Sequence, residues 1–238
     1  MFSLVVPTFN ERANIGPLIG RIEAVLKQQP FEFEIILADD NSPDETWRLA
    51  QEIAKEDSRL HVIRREGARR LATAVVDGWK AAKGKILGVM DADLQHPPEI
   101  LPDLLGPILK RRADIVIGSR HTSGGGVGEW NLRRRFISWG AATIAFLVLP
   151  QILRVVQDPM SGFFLMNRSV IDSALLKPRG YKILLEILAK GNYRRIVEVQ
   201  YVFEERKNGK SKLGLKQYLE FIIHVEMLAS KARVHSHL

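Results

Sequence analysis

Two carboxylates one residue apart, Asp91 and Asp93, close an apolar run of Ile86, Leu87, Val89 and Met90. On an extended segment the side chains at i and i+2 leave the same face, so both acids aim at one place at the end of a strand. That edge of an open α/β sheet is where such folds bind ligands. Together with the amide oxygen of Gln95, they offer hard oxygen donors suited to Mg²⁺ or Mn²⁺, above all where a substrate diphosphate completes the shell. A plainer use exists: Asp93 would begin the next helix, with Pro97-Pro98-Glu99 as its first turn. An isolated Asp-x-Asp is more often such a cap than a metal site, so the rest of the chain has to decide.

The elements that must position these acids are legible as alternating strand and helix patterns. Residues 4–6 form a buried strand, and Ile15, Leu18, Ile19, Ile22, Val25 and Leu26 recur at helical spacing behind it, with Asn14 as the expected N-cap. Residues 34–38 are a second strand, ending in Asp39-Asp40-Asn41-Ser42-Pro43-Asp44, and Trp47, Leu49, Ala50 and Ile53 mark a second helix. A short strand at 60–63, a helix at 71–82, the strand into Asp91, a helix through Ile100, Leu104, Leu105 and Ile108, and a strand at 115–118 follow. Repeated βα units of this length predict an α/β fold with a mostly parallel, doubly wound, twisted sheet and flanking helices.

After Arg120 the pattern changes. Gly124-Gly125-Gly126 reads as a loop, and Arg133-Arg134-Arg135 runs straight into the apolar segment 136–149. A basic start opposes the dipole of a helix, so an anionic lipid surface or a bound phosphate is expected to compensate it; a buried helix with a solvated basic start is the plainer alternative. Asp158-Pro159-Met160-Ser161-Gly162 is a loop feeding a strand, short helices are expected at 170–176 and 183–190, and 196–203 alternates like a strand. Residues 206–212 form a basic, glycine-containing loop. The apolar helix predicted at 215–229 lacks a wide polar face and must pack on the domain, a partner or lipid.

The whole chain limits the possibilities further. Its 238 residues suffice for one full core. It has no cysteine, which removes disulfides and all thiol chemistry. The 35 Lys and Arg against 27 Asp and Glu leave a net charge of +8, which favours phosphate-rich or membrane-surface partners. The few aromatic residues are not interleaved with basic ones as in a base-stacking platform, so no nucleic-acid partner is expected. The longest uncharged stretch, 136–153, contains Ser138, Gly140, Thr143 and Pro150 and falls short of the roughly 20 apolar residues of a membrane span. The apolar opening Met1-Phe2-Ser3-Leu4-Val5-Val6-Pro7 reads as a first strand rather than a signal peptide. The turn behind it, Pro7-Thr8-Phe9-Asn10-Glu11, has no Gly-x-Gly-x-x-Gly, which excludes a dinucleotide-binding dehydrogenase.

Taken in order, Val6-Pro7-Thr8-Phe9-Asn10-Glu11, Asp39-Asp40-Asn41-Ser42-Pro43-Asp44, Met90-Asp91-Ala92-Asp93-Leu94-Gln95-His96-Pro97-Pro98-Glu99, Gly118-Ser119-Arg120, Asp158-Pro159-Met160-Ser161-Gly162-Phe163-Phe164 and Gly209-Lys210-Ser211-Lys212 resemble the signatures of the dolichyl-phosphate mannosyltransferase group of GT-A glycosyltransferases. The similarity runs from about Leu4 to Met227. Two departures stand out. The run before the third helix is Gly67-Ala68-Arg69-Arg70-Leu71-Ala72 where the family usually has Lys-Gly-Leu, and Phe9 replaces a tyrosine.

The resemblance implies a single GT-A domain over 1–230, with 1–120 holding the nucleotide sugar, 121–230 taking the acceptor through interfacial helices, and 231–238 a frayed tail. It implies that Pro7, Phe9, Glu11, Ala38 and Asp40 line the nucleoside pocket and that Asp91, Ala92 and Asp93 approach the diphosphate. The metal, Mg²⁺ or Mn²⁺, would be held by Asp93 and Gln95 together with Asp91. Arg120, Arg134 and Ser138 would hold a lipid-linked phosphate, with Asp93, Arg120 and Arg134 as the catalytic set. Arg206 and Lys212 would close over the donor, and His96 would be a structural turn residue. The implied reaction moves mannose from GDP-mannose to a dolichyl or polyprenyl phosphate with anomeric inversion, on the cytoplasmic face of a membrane, as a peripheral protein with or without a membrane-embedded helper. Three alternatives stay open: another donor such as UDP-glucose, a carbohydrate hydroxyl as acceptor with Asp158 as its base, and a non-catalytic protein that binds nucleotide sugars or tethers partners.

Overall fold

The computed structural model describes residues 1–67, 69–121, 126–127, 156–177, 181–206, 223 and 227. Strands β1 (Phe2–Thr8), β2 (Phe33–Asp39), β3 (Leu60–Arg64), β4 (Ile86–Val89), β5 (Ile115–Ser119), β7 (Phe164–Asn167) and β8 (Ile196–Gln200) share one sheet in the order β3-β2-β1-β4-β7-β5-β8. β6 (Gly126–Val127) and β9 (Val202–Phe203) pair separately. Among the described residues the α-helices given whole are α1 (Arg12–Leu26), α2 (Thr46–Glu56), α3 (Leu71–Ala81), α4 (Leu101–Leu109) and α5 (Ile183–Lys190).

β1 and β2 are buried along their whole length, as strands covered on both faces must be. Alternate residues therefore enter two different cores. Leu4, Val6, Ile35 and Leu37 pack with Ile15, Leu18 and Ile22 of α1 and Leu104 of α4, whereas Val5, Ile36 and Val89 pack with Val75 and Trp79 of α3 and Ile183, Leu184 and Ile187 of α5. The α3 carboxyl end is finished from a distance. Arg168 donates from Nε to the Gly84 carbonyl at 2.8 Å, from Nη1 to Trp79 at 3.4 Å and from Nη2 to Ala82 at 2.5 Å, satisfying carbonyls the helix leaves open.

The structure gives β7 a direction and corrects three local expectations. β7 runs antiparallel to both neighbours, Val89 facing Phe164 on one side and Ile117 facing it on the other. It enters the sheet from the carboxyl edge of the parallel strands, so it needs no crossover. Helix α1 starts at Arg12, not behind Asn14; its first turn is tied by donation from Glu11 N to Thr46 Oγ1 at 3.0 Å and from Arg12 N to Asp44 Oδ2 at 3.1 Å. Residues 171–173 form turns and 174–177 irregular chain behind a short 3₁₀ segment, Arg168–Val170, because the Val170 carbonyl accepts from Asn192 N at 2.8 Å and is lost to a helical ladder. The stretch 196–203 is two strands broken at Tyr201. No helix among the described residues is long and apolar enough to cross a membrane. The expected glycine loop apart from Gly126, the segment 136–149, the helix at 215–229 apart from positions 223 and 227, and the tail lie outside the described residues.

Candidate active site

Every parallel strand of the large sheet except β8 hands a predicted or newly found polar residue to one edge, and the antiparallel β7 receives its chain from that same edge. At the end of β1 and β2, Pro7 is registered against Ala38 and Thr8 against Asp39. The two adjacent acids of β2 have separate tasks. Asp39, fully buried, accepts from Thr8 Oγ1 at 2.8 Å, Ser42 N at 2.7 Å and Ser42 Oγ at 2.6 Å, and so fixes the loop. Asp40 turns the other way, to the guanidinium of Arg65, which also reaches Asp77 at 3.0 Å and Thr73 Oγ1 at 2.7 Å. Burial pushes the Asp40 carboxyl above its usual range, offset only in part by Arg65 and by the Arg70 backbone. Helix α2 is tied at its start by Asp44, whose Oδ1 accepts from Thr46 N at 3.1 Å, so Asp40 is not its cap. Beside it the Arg69 guanidinium lies 4.2 Å above the Phe9 ring, while Glu11 accepts from Asn14 Nδ2 at 2.6 Å.

The Asp91–Gln95 turn leaves β4, with Leu94 in the left-handed region at φ 60°. Asp93 is not a helix cap: its Oδ1 accepts from Gln95 N at 3.2 Å and its Oδ2 pairs with Arg206. Asp91 Oδ2 lies 3.4 Å from His96 Nε2, and His96 Nδ1 lies 2.9 Å from the Tyr201 hydroxyl. A proton on Nε2 satisfies both contacts, donating to the carboxylate and accepting from the phenol. The imidazole, 2% exposed, is packed by Phe163 and Phe203. His96 is therefore the brace of Asp91 and more than a turn residue. Burial opposes ionisation of Asp91, but the hydrogen bond from His96 and the charges of Lys182 and Arg120 outweigh it and hold the carboxyl below its usual range. Asp93 is pushed up by burial and by Asp91 itself.

Whether these residues suit a divalent cation is answered by their unused oxygens. Asp91 Oδ1 and Gln95 Oε1 are buried and have no hydrogen-bond partner among the described residues, which is costly for an acceptor unless something positive meets it. Gln95 is held with its oxygen free, because its Nε2 donates to the Glu204 carbonyl at 2.9 Å. Two carboxylates and an amide oxygen fit a hard cation, with room for a diphosphate in its shell. Among the described residues no group of three His, Cys, Asp or Glu side chains could hold an ion unaided.

The turn at 158–162 lies on the other side. Asp158, 1% exposed, takes Arg120 in a bidentate grip, Nε to Oδ2 at 2.7 Å and Nη2 to Oδ1 at 2.8 Å, while the Arg120 backbone N donates to Oδ2 at 3.1 Å. Burial works against this carboxylate, but Arg120 keeps it below its ordinary range. Glu198 of β8 anchors the turn by accepting from Gln157 N and Asp158 N at 2.8 and 2.9 Å, and Ser161 Oγ donates to the Gly118 carbonyl at 2.7 Å. Gly162 presses on Asp91; a Cβ there would lie 2.5 Å from Oδ2. Lys182, just before α5, donates from Nζ to the Met160 carbonyl at 2.7 Å.

Of the residues expected from the sequence, Pro7, Phe9, Glu11, Ala38, Asp40, Asp91, Ala92, Asp93, Gln95, Arg120 and Arg206 thus gather at one edge. Arg134, Ser138 and Lys212 lie outside the described residues. Arg65, His96 with Tyr201, and Lys182 are additions. Only His96, inside the Gln-His-Pro-Pro-Glu run, carried any local signal.

Residues 3–175 match the model of the family described as glycosyl transferase family 2. A dolichol-phosphate mannosyltransferase of Pyrococcus furiosus is 45% identical over 95% of the chain, which spans 63% of that protein's length. One of Saccharomyces cerevisiae is 34% identical over 95% of the chain and 86% of its own length. Among solved structures, glucosyl-3-phosphoglycerate synthase from Mycobacterium tuberculosis, in complex with Mn²⁺, UDP-glucose and phosphoglyceric acid, superposes with a TM-score of 0.72 at 20% identity, covering 98% of the chain and 79% of that structure. Mannosyl-3-phosphoglycerate synthase from Rubrobacter xylanophilus gives 0.71 at 20% identity, covering the whole chain and 76% of that structure. These two share the fold.

Proposed function

Because the chain belongs to glycosyl transferase family 2, we infer that it transfers mannose from GDP-mannose to a dolichyl or polyprenyl phosphate, with inversion at the anomeric carbon. The named relatives support the acceptor and the sugar. The observation that carries the reading is the division of labour at the sheet edge: Asp91 and Gln95 leave buried oxygens unpartnered beside Asp93, while Asp158, the general-base candidate named from the sequence, is already committed to Arg120.

That commitment bears on the nucleophile. Transfer to a sugar hydroxyl benefits from a base that removes a proton, and both oxygens of Asp158 accept from Arg120. A phosphomonoester needs none, its second pKa being about 6, so it arrives as a dianion. What it does need is cations that offset its repulsion from the donor diphosphate. An acceptor phosphate oxygen then attacks the anomeric carbon as the bond to the donor's β-phosphate breaks, and GDP leaves. Asp40, fixed by Arg65, faces the nucleoside, and Phe9 with Arg69 offers it a flat face. When bound, Mg²⁺ or Mn²⁺ would neutralise the charge that builds on the departing diphosphate. Arg206, paired with Asp93, would follow that charge, and Lys212 would help it to shut out water.

The reaction would take place at the cytoplasmic face of a membrane, where the chain would bind peripherally through the 136–149 segment or with a membrane-embedded helper protein. The test is a panel of GDP-mannose, GDP-glucose and UDP-glucose with a polyprenyl phosphate, with Mg²⁺, Mn²⁺ or EDTA. Product from GDP-mannose with a divalent ion and none in EDTA is expected; preferential use of UDP-glucose, or metal-independent transfer, would overturn the donor or the cation in turn.

A further inference from the structure

Lys182 is a cation held where a cation is disfavoured. It sits immediately before α5, whose apolar residues Ile183, Leu184 and Ile187 are buried on the sheet. A positive charge at that position opposes the helix dipole. A flexible four-carbon stem could carry the ammonium into water, yet Nζ turns inward to the Met160 carbonyl at 2.7 Å. Met160 belongs to the same short turn that carries Asp158 to Arg120 and brings Gly162 against Asp91. The ammonium is therefore tied to the one segment at which Arg120 and Asp91 meet.

The charges around it do not account for it. Burial and the nearby Arg120 push Lys182 down to about 8, against the weaker pull of Asp91 and Asp158. Asp158 has both oxygens on Arg120, Asp91 faces His96, and among the described residues no carboxylate pairs with Lys182. Among the described residues its one hydrogen bond goes to a neutral carbonyl, and its other neighbour is the Tyr181 ring, 5.1 Å from Nζ to the centroid, although an ammonium carries three donors. Two neighbouring cations, one set against a helix dipole, are the arrangement that a doubly charged phosphoryl group would stabilise.

We propose that Lys182 is a phosphate-binding residue of the transfer site, its Nζ sharing with Arg120 a phosphoryl group of a bound substrate. The inference rests on the proposed reaction for its meaning, and two phosphoryl groups qualify: the monoester of the acceptor and the diphosphate of the donor. Its place on the Arg120 side of the site, away from Asp40, favours the acceptor.

The test uses the full chain as wild type, Lys182→Met and Lys182→Arg, each titrated calorimetrically with GDP plus Mg²⁺ and with farnesyl phosphate, and each assayed for mannose transfer to a polyprenyl phosphate. Loss of one charge-assisted contact predicts a fall in farnesyl phosphate affinity, and a rise in acceptor KM, of about tenfold or more in Lys182→Met, with partial rescue in Lys182→Arg. Weakened GDP binding with unchanged farnesyl phosphate binding would support the phosphate role and assign it to the donor. Unaltered affinity for both, with only thermal stability lowered, would overturn the proposal and leave Lys182 as a tie for Met160. Because both titrations are read without turnover, a wild type that binds phosphate but transfers no mannose would overturn the reaction and leave Lys182 judged on binding alone.

Discussion

Replacing Gly162 by alanine tests how tightly the acidic centre is built. A Cβ at this position would lie 2.5 Å from Asp91 Oδ2, 3.0 Å from Cγ and 3.1 Å from Oδ1, against an ordinary contact of 3.4 Å. Either the turn or the carboxylate has to give. The turn is pinned by Ser161 Oγ to the Gly118 carbonyl at 2.7 Å, by Phe163 N to Ser161 Oγ at 3.1 Å and by Gly118 N to the Phe163 carbonyl at 2.8 Å, so Asp91 is the part that moves, by about 0.9 Å. Its 3.4 Å contact with His96 would then open beyond hydrogen-bonding distance. A misplacement of about 1 Å in a reacting assembly is worth roughly a hundredfold in rate. The expected outcome is a loss of about that size in kcat/KM, a weaker Mn²⁺ complex by electron paramagnetic resonance, and a melting temperature within a few degrees of wild type. Unchanged kcat/KM and Mn²⁺ affinity in Gly162→Ala would refute the reasoning, since Asp91 would then be free to move without consequence.

Three more expectations concern neighbouring parts. In Arg206→Met, Asp93 loses its guanidinium partner; without nucleotide, Mn²⁺ should bind more tightly than to wild type, while KM for the donor rises about tenfold, and opposite signs in the two assays are the diagnostic. The kcat/KM for the acceptor should fall as pH rises through about 8, because Lys182 is protonated below that value and neutral above it, with Arg120, Asp91 and Asp158 as the charges facing it; Lys182→Arg, which keeps its charge, should stay flat there. Arg168→Ala leaves the carbonyls of Trp79, Ala82 and Gly84 without their cap and should destabilise the fold by about 2 kcal/mol, lowering the melting temperature by roughly 4–8 °C in a scanning experiment without altering nucleotide affinity.

The alternation of strands and helices was legible because β1, β2 and β5 are buried on both faces and leave continuous apolar runs, and because Asp91 and Asp93 end the apolar run of β4 abruptly. The direction of β7 was not: Phe164-Leu165-Met166-Asn167 reads the same whichever way it runs, and only its entry from the Asp158 turn decides. The α1 start was misplaced for a related reason. Its capping groups, Thr46 and Asp44, stand more than thirty residues away, so no local pattern around Asn14 could reveal them. The same holds within the site. Asp91, Asp93 and Arg120 announced themselves by type and spacing, but His96 acquires its role from Tyr201, 105 residues on. Arg65 acquires its role from Asp40, and Lys182 from Met160 and Arg120. Residues that do chemistry were readable; those that aim them depend on contacts the sequence does not list.

The central claim is that the nucleophile is an oxygen of a phosphate already ionised. Incubating the protein with labelled GDP-mannose and a divalent ion, in parallel with a polyprenyl phosphate and with the matching polyprenol, tests it directly. Mannolipid is expected from the phosphate alone, cleaved by mild acid as a phosphodiester of mannose. Equal transfer to the free alcohol, or to a sugar hydroxyl in the absence of any phosphate, would contradict it.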